Sequence, residues 1–142
     1  MKPIDNILII KSTRLMQLRH GEEILKSYHI ALGKNPIGPK QQEGDGRTPE
    51  GEYYISTRNP ESAYHLSLRI SYPNRQDNLR SAKLGINPGT DIYIHGYPNN
   101  DPELLKRENK QDWTTGCIAV TNREIEEIWN LVDNGTTVTI LP

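Results

Sequence analysis

Phenylalanine is absent from these 142 residues, and cysteine occurs once, at Cys117. With aromatic residues at only 6%, a core must be built from Ile, Leu, Val and the seven Tyr, with Trp113 and Trp129 as its largest pieces. A lone cysteine excludes an internal disulfide, and one Cys with four dispersed His matches no zinc spacing, so no metal and no cofactor is expected. No run of about 18 apolar residues occurs, which excludes a membrane-spanning helix. The net charge is -1 with both signs intermixed, leaving no basic footprint for a nucleic acid. The opening Met1-Lys2-Pro3-Ile4-Asp5 has neither the charged start nor the apolar stretch of a secretory signal. The expectation is therefore a cytoplasmic protein, or a periplasmic or cell-wall-associated one if a leader has been removed.

What is present reads as one domain, residues 1–142, without repeats or low-complexity linkers. Ile7 to Ile10, Arg14 to Leu18 and a run placing Ile24, Tyr28, Ile30 and Leu32 on one face predict a β-meander, with His20-Gly21 as its turn. Between Gly33 and Gly51 the chain is rich in Gly and Pro, which predicts a long loop. Loops of that length are usually functional or disordered, so it is a candidate rim of a binding site. Glu43, Asp45 and Glu50 within it read as solvated acids rather than metal ligands. β character returns at Glu52 to Thr57, at His65 to Ile70 and at Asp91 to His95. Alternation there turns Leu66, Leu68 and Ile70 one way and His65 and Arg69 the other; it likewise opposes Tyr93 and His95 to Ile92 and Ile94. Tyr97 to Trp113 reads as a polar excursion able to cover a site, with one helical turn around Glu103 to Arg107. One principal helix follows, with Ile125, Ile128, Trp129 and Val132 on one face, a Thr121/Glu124 capping box and Gly135 as its C′ residue. Thr136 to Leu141 predicts a final strand.

The chemistry concentrates at Thr114-Thr115-Gly116-Cys117, where a thiol sits on a turn of small residues entering an apolar run. An unperturbed thiol is only a few per cent ionised at pH 7, so a nucleophilic Cys117 needs a base, and His95 at its strand end is the candidate. Backbone N–H groups of Thr115, Gly116 and Cys117 are candidate oxyanion donors, a device worth about 2.7–4 kcal/mol per donor. His20 and His29 read as hairpin and strand-surface residues. The exposed-face residues Tyr64, His65, Arg69 and Tyr72 are candidate substrate contacts.

With His95-Gly96, then Thr114-Thr115-Gly116-Cys117, then Thr121-Asn122, a helix and a terminal strand, the chain resembles the L,D-transpeptidase catalytic domain family of the YkuD type. Arg47-Thr48-Pro49-Glu50-Gly51-Glu52-Tyr53 is similar to that family's Thr-Pro-x-Gly turn. Gly38-Pro39-Lys40, Arg58-Asn59, Tyr64 to Leu68 and Ser71 to Asn74 resemble its YafK-like branch. The resemblance implies a mainly β fold, a β-sandwich of two mixed sheets with the principal helix packed against it. It implies attack by Cys117 on a diaminopimelate carbonyl of a peptidoglycan stem peptide, with His95 as base and the Gly96 carbonyl orienting the imidazole. The resulting thioester would pass to an amine, or to water in a carboxypeptidase or amidase variant that releases a wall-linked lipoprotein. A carbapenem is the implied covalent inhibitor, and a non-catalytic wall-binding module is the alternative of another class. Two positions depart from the family pattern: Thr115 stands where a His is common, and Ala119 where Arg or Asn is frequent.

Overall fold

In the computed structural model, which describes residues 1–101 and 111–142, eight strands and two helices alternate unevenly along the chain. The first three strands, β1 (Asn6–Ile10), β2 (Leu15–His20) and β3 (Glu23–His29), form the expected antiparallel meander. Their alternation makes them strands: Ile7 and Ile9 are fully buried, and so are their partners Leu18 and Met16. The last strand, β8 (Thr137–Leu141), runs parallel to β1, so that Val138 and Ile140 continue the same two rows. The expected face of β3 holds for Tyr28 but fails for Ile24, which is 51% exposed. A register shift between Leu18 and Arg19 inserts one extra residue on the β3 side and rotates Ile24 out of the core.

The twelve-residue β4 (Gly51–Ser62) joins two sheets. Its first residues pair with β8, and from Ile55 onward it pairs with β5 (His65–Ile70), with register shifts on either side of Thr57 to Asn59. Beyond β5 come β6 (Tyr93–His95) and the two-residue β7 (Ile118–Ala119), the latter parallel to β6. The order β3-β2-β1-β8-β4-β5-β6-β7 thus gives two mixed sheets sharing β4. Ile55, Leu68, Ile70, Ile94 and Ile118 belong to the same buried core cluster as Ile7, Ile9, Val138 and Ile140.

Among the described residues two ten-residue helices flank the sheets, the expected principal one and a second. The expected one, α2 (Asn122–Leu131), has its capping box in place: Thr121 Oγ1 accepts from Glu124 N, and Glu124 Oε1 accepts from Thr121 N. Ile125, Ile128 and Val132 are buried against β5 and β6. Gly135 is not its C′ residue, because the cap is an extended Val132; Gly135 instead makes the positive-φ turn into β8. The other helix, α1 (Arg75–Leu84), has no apolar stripe to reveal it, and its Leu79 and Leu84 are exposed. Local chemistry forms it: an Asn74/Asp77 capping box begins it and a left-handed Gly85 ends it. Asp77 also accepts from the buried Tyr53 hydroxyl at 2.7 Å, which pins the helix to β4. Neither tryptophan is a fully buried core piece; Trp129 is half-buried beneath Arg58, whose guanidinium lies 4.7 Å from the ring centre. The helical turn expected around Glu103 to Arg107, and most of the Tyr97–Trp113 excursion, lie outside the described residues.

Candidate active site

The long loop between β3 and β4 is held by buried polar contacts rather than by apolar packing. Lys11 is almost wholly buried, and its ammonium donates to Gly38 O, Thr48 O and Glu50 Oε2 at 2.8 to 3.0 Å. Desolvation lowers the Lys11 pKa, and the Glu50 carboxylate opposes that shift. Asp45 accepts the N–H groups of Gln41, Gln42 and Arg47 and the Lys40 ammonium. Despite the cost of desolvation, those donors hold the Asp45 carboxyl down at about 2. Arg80 of α1 donates to Lys40 O at 3.0 Å, so the helix that sequence patterning missed braces this loop.

The loop meets the cysteine turn at Gly116. Gly116 has φ +140, and a Cβ there would stand 2.7 Å from Arg47 O, so no side chain is accommodated. Its N–H is occupied by Thr114 Oγ1 at 3.1 Å, while the Thr114 hydroxyl donates to Cys117 O at 2.7 Å. This corrects the expected role of Gly116: it shapes the turn, and its N–H is already used. Among the described residues, the N–H groups of Thr115 and Cys117 have no hydrogen-bond partner. They remain free to receive negative charge.

Cys117 lies next to β7, and pairing of β6 with β7 sets it beside Tyr93. Its sulfur accepts from Tyr93 N and donates to Asp91 O, both at 3.4 Å. Burial pushes the thiol up to about 11, so roughly one in 10⁴ is ionised at pH 7. His95 is 3% exposed. Its Nδ1 donates to Gly96 O at 2.7 Å, which leaves Nε2 unprotonated and able to accept a proton. Desolvation lowers the imidazole to about 4, outweighing that hydrogen bond. Tyr64 stacks on the ring at 4.3 Å between centroids, and Trp113 lies at 5.7 Å. His95 and Cys117 border one cavity of about 430 Å³, together with Tyr64, Asp91, Trp113 and Thr115. Neutral thiol and neutral imidazole therefore face a common space, rather than a thiolate and an imidazolium.

The remaining candidates separate. Tyr64 belongs to the cavity wall. His65 points away, Nε2 meeting Glu126 Oε1 of α2 at 2.8 Å, and Arg69 stands behind Asp91 at 3.9 Å. Tyr72 is not a substrate contact: it is 2% exposed, packs against Tyr53 and donates to Pro88 O at 2.7 Å. Its strand-face polarity misled because a buried hydroxyl needs only one local acceptor. Ala119 is fully buried, pairs in register with His95 and exchanges both backbone hydrogen bonds with Ala31. Pattern reading missed Trp113 as a site residue, and also Asn122, whose Oδ1 accepts from Tyr97 N at 2.8 Å. A Cβ on Gly96 would collide with that Asn122 oxygen. The His-Gly pair and the Asn after the apolar run are thus one packed unit.

Residues 5–140 match the sequence profile of the YkuD family, described as the L,D-transpeptidase catalytic domain. The chain is 31% identical over 132 residues to YafK of Escherichia coli (strain K12), covering 89% of this chain and 46% of that protein. It is 29% identical over 140 residues to Bacillus subtilis (strain 168) YkuD, covering 95% and 65% respectively. Among solved structures it superposes on the helical cell shape determining protein Pgp2 of Campylobacter jejuni, with TM-score 0.74 and 25% identity over 96% of this chain and 47% of that one. The chain spans about half to two thirds of the length of the curated relatives it matches. A profile match over nearly every residue, joined to the same mainly β fold, places this chain in the L,D-transpeptidase catalytic domain family of the YkuD type.

Proposed function

We propose that this chain is a cysteine acyl transferase acting on peptidoglycan stem peptides at the cell wall, with Cys117 as nucleophile and His95 as general base. The observation that carries the reading is the shared cavity: a thiol and an imidazole with its acceptor nitrogen free border the same space. Because the thiol is neutral at rest, its proton moves to His95 Nε2 as sulfur attacks the diaminopimelate carbonyl carbon. The oxyanion is received by the N–H groups of Thr115 and Cys117. The C–N bond then breaks, and the amine leaves with the proton held by the imidazolium. A thioester remains. An incoming amine or water gives its proton to Nε2, displaces the sulfur and restores the thiol. The Gly96 carbonyl acts as the third, orienting member, and Tyr64 and Trp113 keep water from the imidazole.

A carbapenem, whose strained lactam carbonyl acylates thiols, is the probe. Intact mass should rise by one carbapenem on the unmodified chain and stay unchanged on Cys117→Ser. A wild-type mass that never rises would overturn the reading in favour of a non-catalytic binding module. Incubation with muropeptides then separates the two fates of the thioester. Crosslinked dimers identify transfer, whereas trimmed monomers or released lipoprotein identify hydrolysis.

A further inference from the structure

The peptide group between Gly96 and Tyr97 is held at both of its polar atoms. Its carbonyl oxygen accepts from His95 Nδ1 at 2.7 Å, and its N–H donates to Asn122 Oδ1 at 2.8 Å. In a trans peptide those two groups point in opposite directions, so whatever grips the N–H also aims the carbonyl. We propose that Asn122, the first residue of α2, is a positioning residue: by gripping this peptide it keeps the His95 proton on Nδ1 and leaves Nε2 open to the thiol proton.

The preceding peptide, between His95 and Gly96, is fixed by backbone: His95 O accepts from Val120 N and Gly96 N donates to Tyr64 O, both at 3.0 Å. The Gly96–Tyr97 peptide is instead held by two side chains, one the base itself and the other Asn122. Asn122 takes its place from the helix start, where Thr121 and Glu124 close the capping box around it, and Ile125 lies beside the same glycine. Two hydrogens converge on Asn122 Oδ1. One is the Tyr97 N–H, and the other is a Gly96 Cα hydrogen, since a Cβ in its place would collide with that oxygen. Turning the amide over would set its NH2 group against both, so the oxygen faces the peptide. The glycine has two consequences. It admits Asn122, and it leaves its own ψ free, so that the aim of the carbonyl depends on the clamp.

Were this peptide to turn over, its N–H would point at Nδ1, draw the ring proton to Nε2 and leave the site without a base. The turn would also set Gly96 O against Asn122 Oδ1, two acceptors with no proton between them. Asn122 thus stabilises the productive orientation and opposes the other. The consequence for the thiol proton rests on the proposed acyl-transfer reading; the tautomer itself is measurable without turnover.

The test is ¹⁵N NMR of the His95 ring at pH 7 in the unmodified chain and in Asn122→Leu, Asn122→Asp and Thr121→Ala. Leucine keeps the volume and loses the acceptor, aspartate keeps an acceptor oxygen, and Thr121→Ala loosens the same helix start without touching the peptide. The ratio of Nδ1-protonated to Nε2-protonated rings should fall about tenfold or more in Asn122→Leu, where the Tyr97 N–H loses its acceptor, and should not fall in the other two. Carbapenem acylation should slow about tenfold in Asn122→Leu alone, because the base is no longer aimed. Should Asn122→Leu fail to fold, Asn122→Ala removes the same acceptor and takes its place. A ratio unchanged by loss of the acceptor, or one that falls as far in Asn122→Asp or Thr121→Ala, would overturn the proposal. The carbapenem adduct on the unmodified chain reports separately on the thiol. An adduct with a tautomer indifferent to Asn122→Leu would overturn this assignment alone, and a responsive tautomer without an adduct would overturn the acyl-transfer reading alone.

Discussion

The meander half of the molecule and the half that carries Cys117 are held together by different physics. In β1, β2, β3 and β8, apolar side chains alternate and meet in register: Met16 beside Ile9 beside Ile140, Leu18 beside Ile7 beside Val138. Around the cysteine, backbone approach and buried polar bonds decide the shape, as in Gly116 against Arg47 O, Lys11 across the loop, and Thr114 folded onto the turn. The first arrangement tolerates volume-conserving swaps, whereas the second fixes individual atoms. A functional site built from the second kind of contact is precise but leaves a fainter trace in residue pattern.

Substitutions break the comparison cleanly. The largest effect on chemistry belongs to His95→Gln, which should lower turnover of a muropeptide substrate by about 10²–10⁴ in steady-state assays, because a general base is removed. Ile9→Ala, at the centre of the meander, should cost about 2–5 kcal/mol in urea unfolding while leaving carbapenem acylation of the folded fraction intact. Gly116→Ala is the converse, with a smaller stability loss of about 1–3 kcal/mol from backbone strain and a displaced loop. Its acylation rate should nevertheless fall by more than tenfold, since the Cys117 N–H moves with the turn.

Acid stability sharpens the same contrast. The folded-state pKa of His95, about 4, lies below the unfolded value near 6.5, so the unfolded chain binds more protons between those values. Its contribution is therefore fully present above pH 6.5 and is lost as pH falls toward 4, by roughly 3 kcal/mol. Denaturant melts of His95→Gln should lack that slope. The smallest effect is expected at Thr121→Ala, which removes the α2 cap and should cost about 0.5–2 kcal/mol without altering the acid limb of activity.

The same division explains what the chain's pattern disclosed. Strands and α2 were legible because alternation and the 3.6-residue period report directly on burial, and Cys117 and His95 stood out by chemistry and by family resemblance. α1 was hidden because its stability comes from caps and from Asp77 hydrogen bonds rather than from an apolar face. Ile24 was misassigned because one bulged residue reverses inside and outside without changing composition. Tyr72 and Tyr64 look alike in sequence, yet one is sealed in the core and the other stacks on the imidazole. Nor did spacing reveal that Gly116 N–H is spent on Thr114 within the same turn, or that Cys117 borders two cavities, which depends on contacts between segments far apart in the chain.

At the centre of the account is an uncharged pair, a thiol that ionises only as it attacks. Following the His95 imidazole by ¹⁵N NMR through a pH titration, in the unmodified chain and in Cys117→Ser, tests this most directly. The expected result is a neutral ring bearing its proton on Nδ1 at pH 7, protonating near pH 4, with the two proteins alike. An imidazolium at pH 7 that disappears in Cys117→Ser would reveal a preformed thiolate–imidazolium pair and contradict it.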